Sequence, residues 1–474
     1  MRFGHMLLLL GAVALIATGC LDSGQSSATP KSTAKPKAAT STPSVSPTIS
    51  AEPTMDIPLV TTTPAPTMAP LPANIQRLVD SRFGFNNAGG YTAGGLTFSL
   101  AMDAGGHWDR PSPGPFSWQK IEPVKGRYDF SSADAYVRKA GESGFTILAT
   151  IWPFADWDQK SCQPLSCMAS GFPGLATMRC RPCDMQAYRD FLKAMVERYS
   201  SGPYPIRYWE ILNEPSARGR LESFRGTPEE YAELLKESYA VIKGACPDCK
   251  VLNGGLAGSS DAGFAFHSKV FAAGGAPAFD IGSVHSVNDA ADGNVAAFRS
   301  FLYRENVSRP VWATELSYGS GDNPPSNIKE YQNYFISDDE HAQMVFKGVV
   351  RAFAAGAQKV FYSVPSAAAD ASAPLQSEAL AKSDGARRPA FSAFRALAGK
   401  LDYFTRVNRI SEGRYRFTVG NATIFVLWGE GPLPADLPSD IVVTDHLGRA
   451  SAAKASGLKL SSAPFLAEAA LVPT

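Results

Sequence analysis

The sequence carries almost no net charge. Its 45 Lys and Arg residues against 44 Asp and Glu residues leave a formal charge of +1 over 474 residues. This balance gives no reason to expect a nucleic-acid partner or a polybasic membrane-binding surface. The sequence also lacks an internal repeat of fixed period, and beyond its N-terminus no apolar run is long enough to cross a bilayer. With 45% hydrophobic and 19% charged residues, the composition is typical of a folded globular protein.

The N-terminus has the pattern of an export signal. Arg2 stands in a short polar head, and an apolar run follows over residues 6–18. The run is short for a membrane span but has the usual length of a signal-peptide core. Small residues and then Cys20 end it, which resembles a bacterial lipobox, in which the cysteine is lipidated. We therefore predict a lipoprotein signal at 1–20 with lipidation of Cys20, the alternative being an ordinary secretory signal; both export the protein.

Residues 21–72 form a segment rich in Ser, Thr, Pro and Ala, with almost no aromatic residues. Such a segment cannot bury enough apolar surface to offset its ordering entropy, so we predict a disordered linker. After a lipidated cysteine, this linker would tether a folded domain at the cell surface. A membrane is therefore expected as a partner only through the N-terminal lipid anchor.

Residues 73–400 alternate between short apolar runs and longer amphipathic ones, which is the pattern of βα units. Helices are expected at 131–143, 184–200, 227–243 and 338–355. A doubly wound sheet would need a glycine-rich phosphate loop after its first strand, and there is none. Eight repeats predict an α/β fold of the (β/α)8 TIM-barrel type. The expected strands are 82–86, 106–110, 146–152, 206–212, 250–256, 280–285, 311–316 and 359–364.

Residues 401–474 have the pattern of a small all-β accessory domain. Two runs, 415–419 and 422–428, flank Gly420-Asn421, which is a hairpin turn signal. Further short strands are expected at the ranges 440–444, 458–460 and 465–471.

Two carboxylates follow strands that face each other across the predicted barrel. Glu214 lies after the fourth strand, where Pro215 ends strand pairing, and Glu315 lies near the end of the seventh. Active sites of TIM barrels lie at the C-terminal ends of the strands. A pair of carboxylates there is the arrangement that glycoside hydrolysis requires, one as proton donor and the other ionised.

The motif Trp-Glu-Ile-Leu-Asn-Glu-Pro at 209–215 resembles the Asn-Glu-Pro signature of the retaining glycoside hydrolases of clan A, which have (β/α)8 barrels. The segment 118–134 is similar to one in β-xylosidases and β-galactosidases of that clan. The resemblance implies that Glu214 is the acid/base and Glu315 the nucleophile. It also implies that Asn213 binds the sugar 2-hydroxyl and that Arg110 steadies the charge of the nucleophile.

Two departures from the clan pattern concern the sugar site. The clan usually has a tyrosine shortly after the histidine of the sixth strand, but here Ser286 and Val287 follow His285, so Tyr318 is a candidate substitute. The tryptophan of the eighth strand is also absent. The further candidates for sugar binding are His285 itself, Trp152 and His107, the last on the same strand end as Arg110.

Six cysteines remain after Cys20. Their number and the predicted export favour disulfide bonds. A tetrahedral zinc site is the alternative for the four in the loop after the third strand, and their connectivity cannot be deduced from spacing. The six are Cys162, Cys167, Cys180, Cys183, Cys246 and Cys249.

The sequence thus predicts an exported retaining glycoside hydrolase that acts on a carbohydrate, with β-linkage implied by the resemblance, and that needs no metal or organic cofactor. One alternative is a surface lipoprotein that binds carbohydrate without hydrolysing it. The other is a transglycosylase acting on cell-surface glycan.

Overall fold

A computed structural model of the chain describes residues 73–470, with gaps at 93–94, 170–173, 219–221, 288–290, 320–336, 364 and 367–376. The predicted signal and linker, 1–72, lie outside the described residues. Among the helices of the described part, none is long and apolar enough to span a membrane.

The first part of the described chain is a closed barrel of parallel strands, as predicted. One strand position is split into β7 and β8, and β2 and β3 form a separate two-stranded sheet. The barrel closes because β7 pairs with β6, Leu252 bridges to Ile281, and β8 pairs with β9. The strands are β1 (Phe83–Asn86), β2 (Gly90–Thr92), β3 (Gly95–Thr97), β4 (Trp108–Arg110), β5 (Thr146–Ile151), β6 (Tyr208–Ile211), β7 (Lys250–Asn253), β8 (Leu256–Ala257), β9 (Gly282–Val287), β10 (Val311–Ser317) and β11 (Ala357–Tyr362).

Helices connect the barrel strands and cover their outer faces. The four predicted helices are confirmed, with ends shifted by one or two residues. Capping boxes at Thr227 with Glu230 and at Ser337 with Glu340 satisfy the first backbone N–H groups of α7 and α10. The helices are α1 (Ala73–Asp80), α2 (Ser99–Asp103), α3 (Trp118–Ile121), α4 (Ser131–Glu142), α5 (Asp156–Cys162), α6 (Met185–Tyr199), α7 (Pro228–Ala245), α8 (Asp261–Val270), α9 (Val295–Arg304), α10 (Asp338–Ala354) and α11 (Pro389–Leu401).

The N-terminal end of the barrel is closed by an apolar layer and by α1. Lys359 reaches this layer from β11, and its ammonium donates to the carbonyls of Val79 and Ser81 at 2.6 and 2.5 Å. The ammonium also lies 4.5 Å from the ring centroid of Trp108. Burial lowers the pKa of Lys359 to about 7. The apolar layer consists of Val79, Trp108, Leu148, Leu252, Ile281, Trp312 and Phe361.

The C-terminal residues form a six-stranded antiparallel sheet in the order β12-β13-β14-β17-β15-β16. The hairpin at Gly420-Asn421 is confirmed, since Val419 pairs with Ala422. The strand expected at 458–460 is wrong: Leu458 and Leu460 pack on the apolar cluster of this sheet without pairing. The strands are β12 (Arg406–Ser411), β13 (Arg414–Val419), β14 (Ala422–Leu427), β15 (Asp440–Asp445), β16 (Ala450–Lys454) and β17 (Phe465–Ala469).

The six cysteines form three disulfides, so the predicted disulfides are confirmed and the zinc alternative is excluded. Cys162 pairs with Cys183, and Cys167 pairs with Cys180 inside the loop that the first bond closes. The third bond joins Cys246 and Cys249, only 3 residues apart.

Because it closes a longer loop, the inner disulfide of the nested pair, Cys167–Cys180, should stabilise the fold more than the local disulfide, Cys246–Cys249. We expect Cys167→Ala with Cys180→Ala to lower the free energy of unfolding by about 2–4 kcal/mol, because it frees a longer loop in the unfolded chain. Urea denaturation measures this. The double alanine variant of Cys246 and Cys249 is the matched control, since all four cysteines are buried. Equal losses in both variants would show that packing, not loop closure, sets the effect.

Candidate active site

A turn of unusual backbone follows β6 at the C-terminal end of the barrel. Leu212 and Glu214 have φ values of 70° and 42°, in the left-handed region that non-glycine residues rarely adopt. Such strain persists only where the surroundings hold it, and it is common at functional sites. Here the turn places Asn213 against Arg110 and Glu214 against His285.

A register shift in β10 brings two consecutive side chains to the barrel interior. The pairing of β10 with β9 is irregular between Ala313 and Glu315. In a regular strand, neighbouring side chains point to opposite faces. At this irregularity, Thr314 contacts His285 at 2.9 Å while Glu315 contacts Arg110 at 2.6 Å. Bulges beside active sites re-aim side chains in this way.

Arg110, at the end of β4, holds the site together from below. Its Nε donates to Glu210 at 2.6 Å, and its Nη1 donates to Glu315 at 2.6 Å and to Asn86 at 3.0 Å. Its Nη2 donates to Asn213 Oδ1 at 2.8 Å. The guanidinium is fully buried. Burial alone would lower the pKa of Arg110, but the charges of Glu210 and Glu315 outweigh it and raise the pKa.

His285, in β9, lies between the two carboxylates of the mouth. Its Nδ1 is 2.8 Å from Glu214 Oε1 and 3.8 Å from Glu315 Oε2. Burial would lower the pKa of His285, but the charge of Glu315 and the hydrogen bond with Glu214 raise it. Gly255 lies between β7 and β8, and a Cβ there would lie 2.0 Å from His285 Nε2. Only glycine at this position leaves room for the imidazole ring.

Glu214, His285 and Glu315 form one compact cluster. One side-chain ligand atom from each lies within 4.8 Å of the other two. Both glutamates are partly accessible, with side chains 21% exposed, whereas the histidine is buried. One oxygen of Glu214 and one of Glu315 thus lie within 4.8 Å of each other, which suits the closer carboxyl pair of retaining glycosidases, ~5–5.5 Å apart, better than the ~6.5–9.5 Å of inverting ones. The same atoms could also ligate a metal ion, although Glu214 and His285 already contact each other directly.

The other predicted site residues lie elsewhere. Trp152 is only 1% exposed and packs in the main apolar cluster, so its ring is not an open platform. His107 precedes β4 and so lies at the opposite end of that strand from Arg110, which corrects the expectation that they share one end. The Tyr318 side chain packs against α10, where a Cβ on Gly348 would lie 2.0 Å from its hydroxyl oxygen.

Two buried carboxyl groups near the site were given no role in the sequence analysis. Glu210 lies beneath it and accepts hydrogen bonds from Arg110, Thr150 and Ser283. Glu210 is a charged residue in an otherwise apolar strand, on the same face as Tyr208, and this pattern could have indicated a role inside the barrel. Glu378 follows β11, and burial raises its pKa to about 7, with the charge of Glu315 adding to this. No local pattern marks Glu378.

The disulfide-linked loop docks on the segment that follows Glu214. Arg179, nearly fully buried, donates from Nη1 to the carbonyl of Glu222 at 2.9 Å. Arg225 donates from its backbone to the carbonyl of Arg179 at 2.8 Å and from Nη1 to that of Met168 at 2.9 Å. These hydrogen bonds join the disulfide-linked loop to the segment that follows the fourth barrel strand.

Comparisons with known proteins find similarity to glycoside hydrolases. The model of glycoside hydrolase family 42, described as beta-galactosidase, matches residues 111–246, the part of the chain that includes Asn213 and Glu214. Over 141 residues, 28% of this chain, the sequence is 29% identical to beta-galactosidase BbgII of Bifidobacterium bifidum. The chain spans about a fifth of the length of that relative, 20%.

Solved structures share the architecture. One is a family 39 glycoside hydrolase from Bacteroides cellulosilyticus WH2, with TM-score 0.57 and 18% identity over 79% of this chain and 77% of the other. A monomeric beta-xylosidase from Caulobacter crescentus CB15 gives TM-score 0.56 and 16% identity over 79% of this chain and 92% of the other. The catalytic domain of GH30 xylanase C from Talaromyces cellulolyticus gives TM-score 0.51 and 14% identity over 82% of this chain and 96% of the other.

Proposed function

We propose that the chain is a retaining glycoside hydrolase that cleaves O-glycosidic bonds of oligo- or polysaccharides. The observation that carries the proposal is the pair of partly exposed carboxylates, Glu214 and Glu315, with oxygens within 4.8 Å of each other at the mouth of the barrel. Two carboxyl groups at this spacing suit attack by one of them on the anomeric carbon, since an intervening water would need more room.

The mechanism has two displacements. Glu214 donates its proton to the glycosidic oxygen while Glu315 attacks the anomeric carbon, so the carbon–oxygen bond breaks as a glycosyl ester of Glu315 forms. Glu214 then takes a proton from water, whose oxygen attacks the same carbon and releases Glu315. Each step begins and ends with the atoms that the two glutamates, the sugar and water supply, so no metal or organic cofactor is required.

The neighbours of the two glutamates have matching roles. Arg110 stabilises the carboxylate of Glu315 before attack and after release. Asn213, whose Oδ1 accepts from Arg110, is oriented with its amide nitrogen available to the sugar 2-hydroxyl. His285 Nδ1 lies 2.8 Å from Glu214 and 3.8 Å from Glu315, so the imidazole is in reach of both glutamates.

The substrate is proposed to be a β-linked neutral sugar. The support is the names of the relatives, which include a beta-galactosidase and a beta-xylosidase, together with the near-zero net charge. A panel of aryl β-glycosides tests this, with proton NMR of the first-formed anomer. Release of the β-anomer supports the proposal, and release of the α-anomer contradicts it.

The same panel separates the alternatives. Sugar binding without turnover on any glycoside would favour a carbohydrate-binding surface protein. Transfer products that dominate over hydrolysis when an acceptor sugar is added would favour a transglycosylase.

We also propose export and anchoring through Cys20. The support is the signal pattern at 1–20 and the three disulfides, which form and persist in oxidising compartments. Metabolic labelling with an alkyne fatty acid tests this: the parent should be labelled and Cys20→Ala should not. An unlabelled parent would indicate free secretion.

A further inference from the structure

A chain of hydrogen bonds connects the buried Glu210 to His285. Ser283 Oγ lies 2.8 Å from Glu210 Oε1, and Thr314 Oγ1 lies 2.5 Å from Ser283 Oγ. The chain ends at His285 Nε2, 2.9 Å from Thr314 Oγ1. Glu210, Ser283 and Thr314 are all fully buried, so water cannot replace any of these partners.

The direction of each bond follows from what each group can donate. Glu210, in its ion pair with Arg110, has no hydrogen to give and only accepts. Ser283 has one hydroxyl hydrogen and donates it to Glu210. Thr314 Oγ1 therefore donates its hydrogen to Ser283 Oγ, 2.5 Å away, on the side that also faces Glu210 Oε1 at 3.4 Å. Thr314 then offers only lone pairs to His285, so Nε2 must carry a hydrogen.

The reverse direction is unfavourable. If Thr314 donated to His285, the hydroxyl oxygens of Ser283 and Thr314 would face each other at 2.5 Å without a hydrogen between them, or Ser283 would withdraw its hydrogen from Glu210. Either arrangement leaves a buried polar group without a hydrogen-bond partner, which is unfavourable.

We propose that Glu210 is a positioning residue, which acts through Ser283 and Thr314 to hold a hydrogen on His285 Nε2 and so reserve Nδ1 for proton exchange with Glu214. The inference rests on the proposed function, in which Glu214 alternates between acid and base. In this arrangement Nδ1 and Glu214 Oε1, which are 2.8 Å apart, share a single proton. Its transfer breaks one O–H bond and forms one N–H bond, or the reverse, and needs no other reactant.

Glu210 orients both halves of the proposed pair. Its Oε1 starts the chain to His285 and Glu214, whereas its Oε2 accepts from Arg110 Nε. Arg110 in turn donates to Glu315. Three charged groups face His285: Glu214 from the end of β6, Glu315 from β10 and Arg110 from β4.

The test compares two isosteric variants of buried threonines. Thr314→Val breaks the chain to His285, whereas Thr150→Val removes a different hydrogen bond to Glu210, 2.9 Å long and to the other oxygen. Both positions are fully buried, so the variants are matched in packing. Glu210→Gln is less informative, because it also removes the ion-pair partner of Arg110.

The first readout is the tautomer of His285, from ¹⁵N NMR of histidine-labelled protein without substrate. We expect Nε2 to stay protonated in the parent and in Thr150→Val while only Nδ1 titrates. In Thr314→Val, a form with hydrogen on Nδ1 and none on Nε2 should appear. A parent with unprotonated Nε2 at neutral pH, or identical spectra in all three proteins, would overturn the proposal.

The second readout is the pH profile of kcat/KM on an aryl glycoside. Thr314→Val should lose about tenfold, the value of one buried hydrogen bond, and its profile should shift along the pH axis. Thr150→Val should keep the shape of the parent profile. An unshifted Thr314→Val profile would contradict the positioning role. If the tautomers behave as expected but no glycoside is cleaved, the proposed function fails and the hydrogen-bond chain stands.

Discussion

Glu315→Ala should reduce kcat on aryl β-glycosides by more than about 10⁴-fold, as expected when one member of a group that acts as a unit is removed. The variant has no atom that can form the glycosyl ester, so the first displacement cannot occur. The fold should persist, because Arg110 keeps its ion pair with the buried Glu210. Steady-state kinetics with circular dichroism measures both effects.

Azide distinguishes a lost nucleophile from general damage. In Glu315→Ala, the space left by the carboxylate should admit azide, which attacks the anomeric carbon and gives a glycosyl azide of inverted configuration. Glu305→Ala is the control, because it removes a carboxylate hydrogen bond of 2.6 Å to Ser268 at the other end of the barrel, beyond α9. Full turnover by Glu315→Ala without azide would contradict the nucleophile assignment.

Glu214→Ala should produce a loss that depends on the leaving group. Proton donation to the glycosidic oxygen accounts for about 10²–10⁴-fold, so alkyl glycosides and oligosaccharides should lose that much. The dinitrophenolate of a dinitrophenyl glycoside leaves without protonation, so the first step on this substrate should be almost unaffected. Its turnover should instead stall at the glycosyl ester, because no base activates water. Pre-steady-state kinetics would show a burst of the phenolate.

Azide also tests this assignment, with the opposite stereochemistry. In Glu214→Ala, azide should attack the glycosyl ester of Glu315 and give a glycosyl azide of retained configuration. Inverted azide from this variant, or an equal loss on all leaving groups, would contradict the acid/base role.

The position of the two glutamates could be predicted because parallel barrel strands end at one rim. Glu214 follows an apolar strand and precedes Pro215, and Glu315 lies near the end of another such strand, so both were expected at the same mouth. The contacts of Arg110 could not be derived from spacing, since its strand is only three residues long in the structure. Only its contact with Glu315 was implied, by the resemblance to the clan.

Other parts of the site depend on local irregularities that no pattern marks. The register shift in β10 lets Thr314 and Glu315 both point inward, so counting alternate residues fails there. Beyond the shift, Leu316 and Tyr318 both belong to the apolar core cluster, which explains why Tyr318 packs against α10 instead of lining the candidate active site. His107 was misplaced because the three residues from His107 to Arg110 span about 10 Å of strand, so the two side chains cannot lie at the same strand end.

The closure of the barrel by α1 determines which end of the barrel can face a surface. The first described helix lies over the end opposite to Glu214 and Glu315, held there by Lys359 and by Val79 in the apolar layer. If the protein is immobilised on a solid support through the chain that precedes residue 73, the described part of the chain begins at the closed end of the barrel. An insoluble polysaccharide can then approach the open end without crossing the point of attachment, so an immobilised form should keep its KM on long substrates.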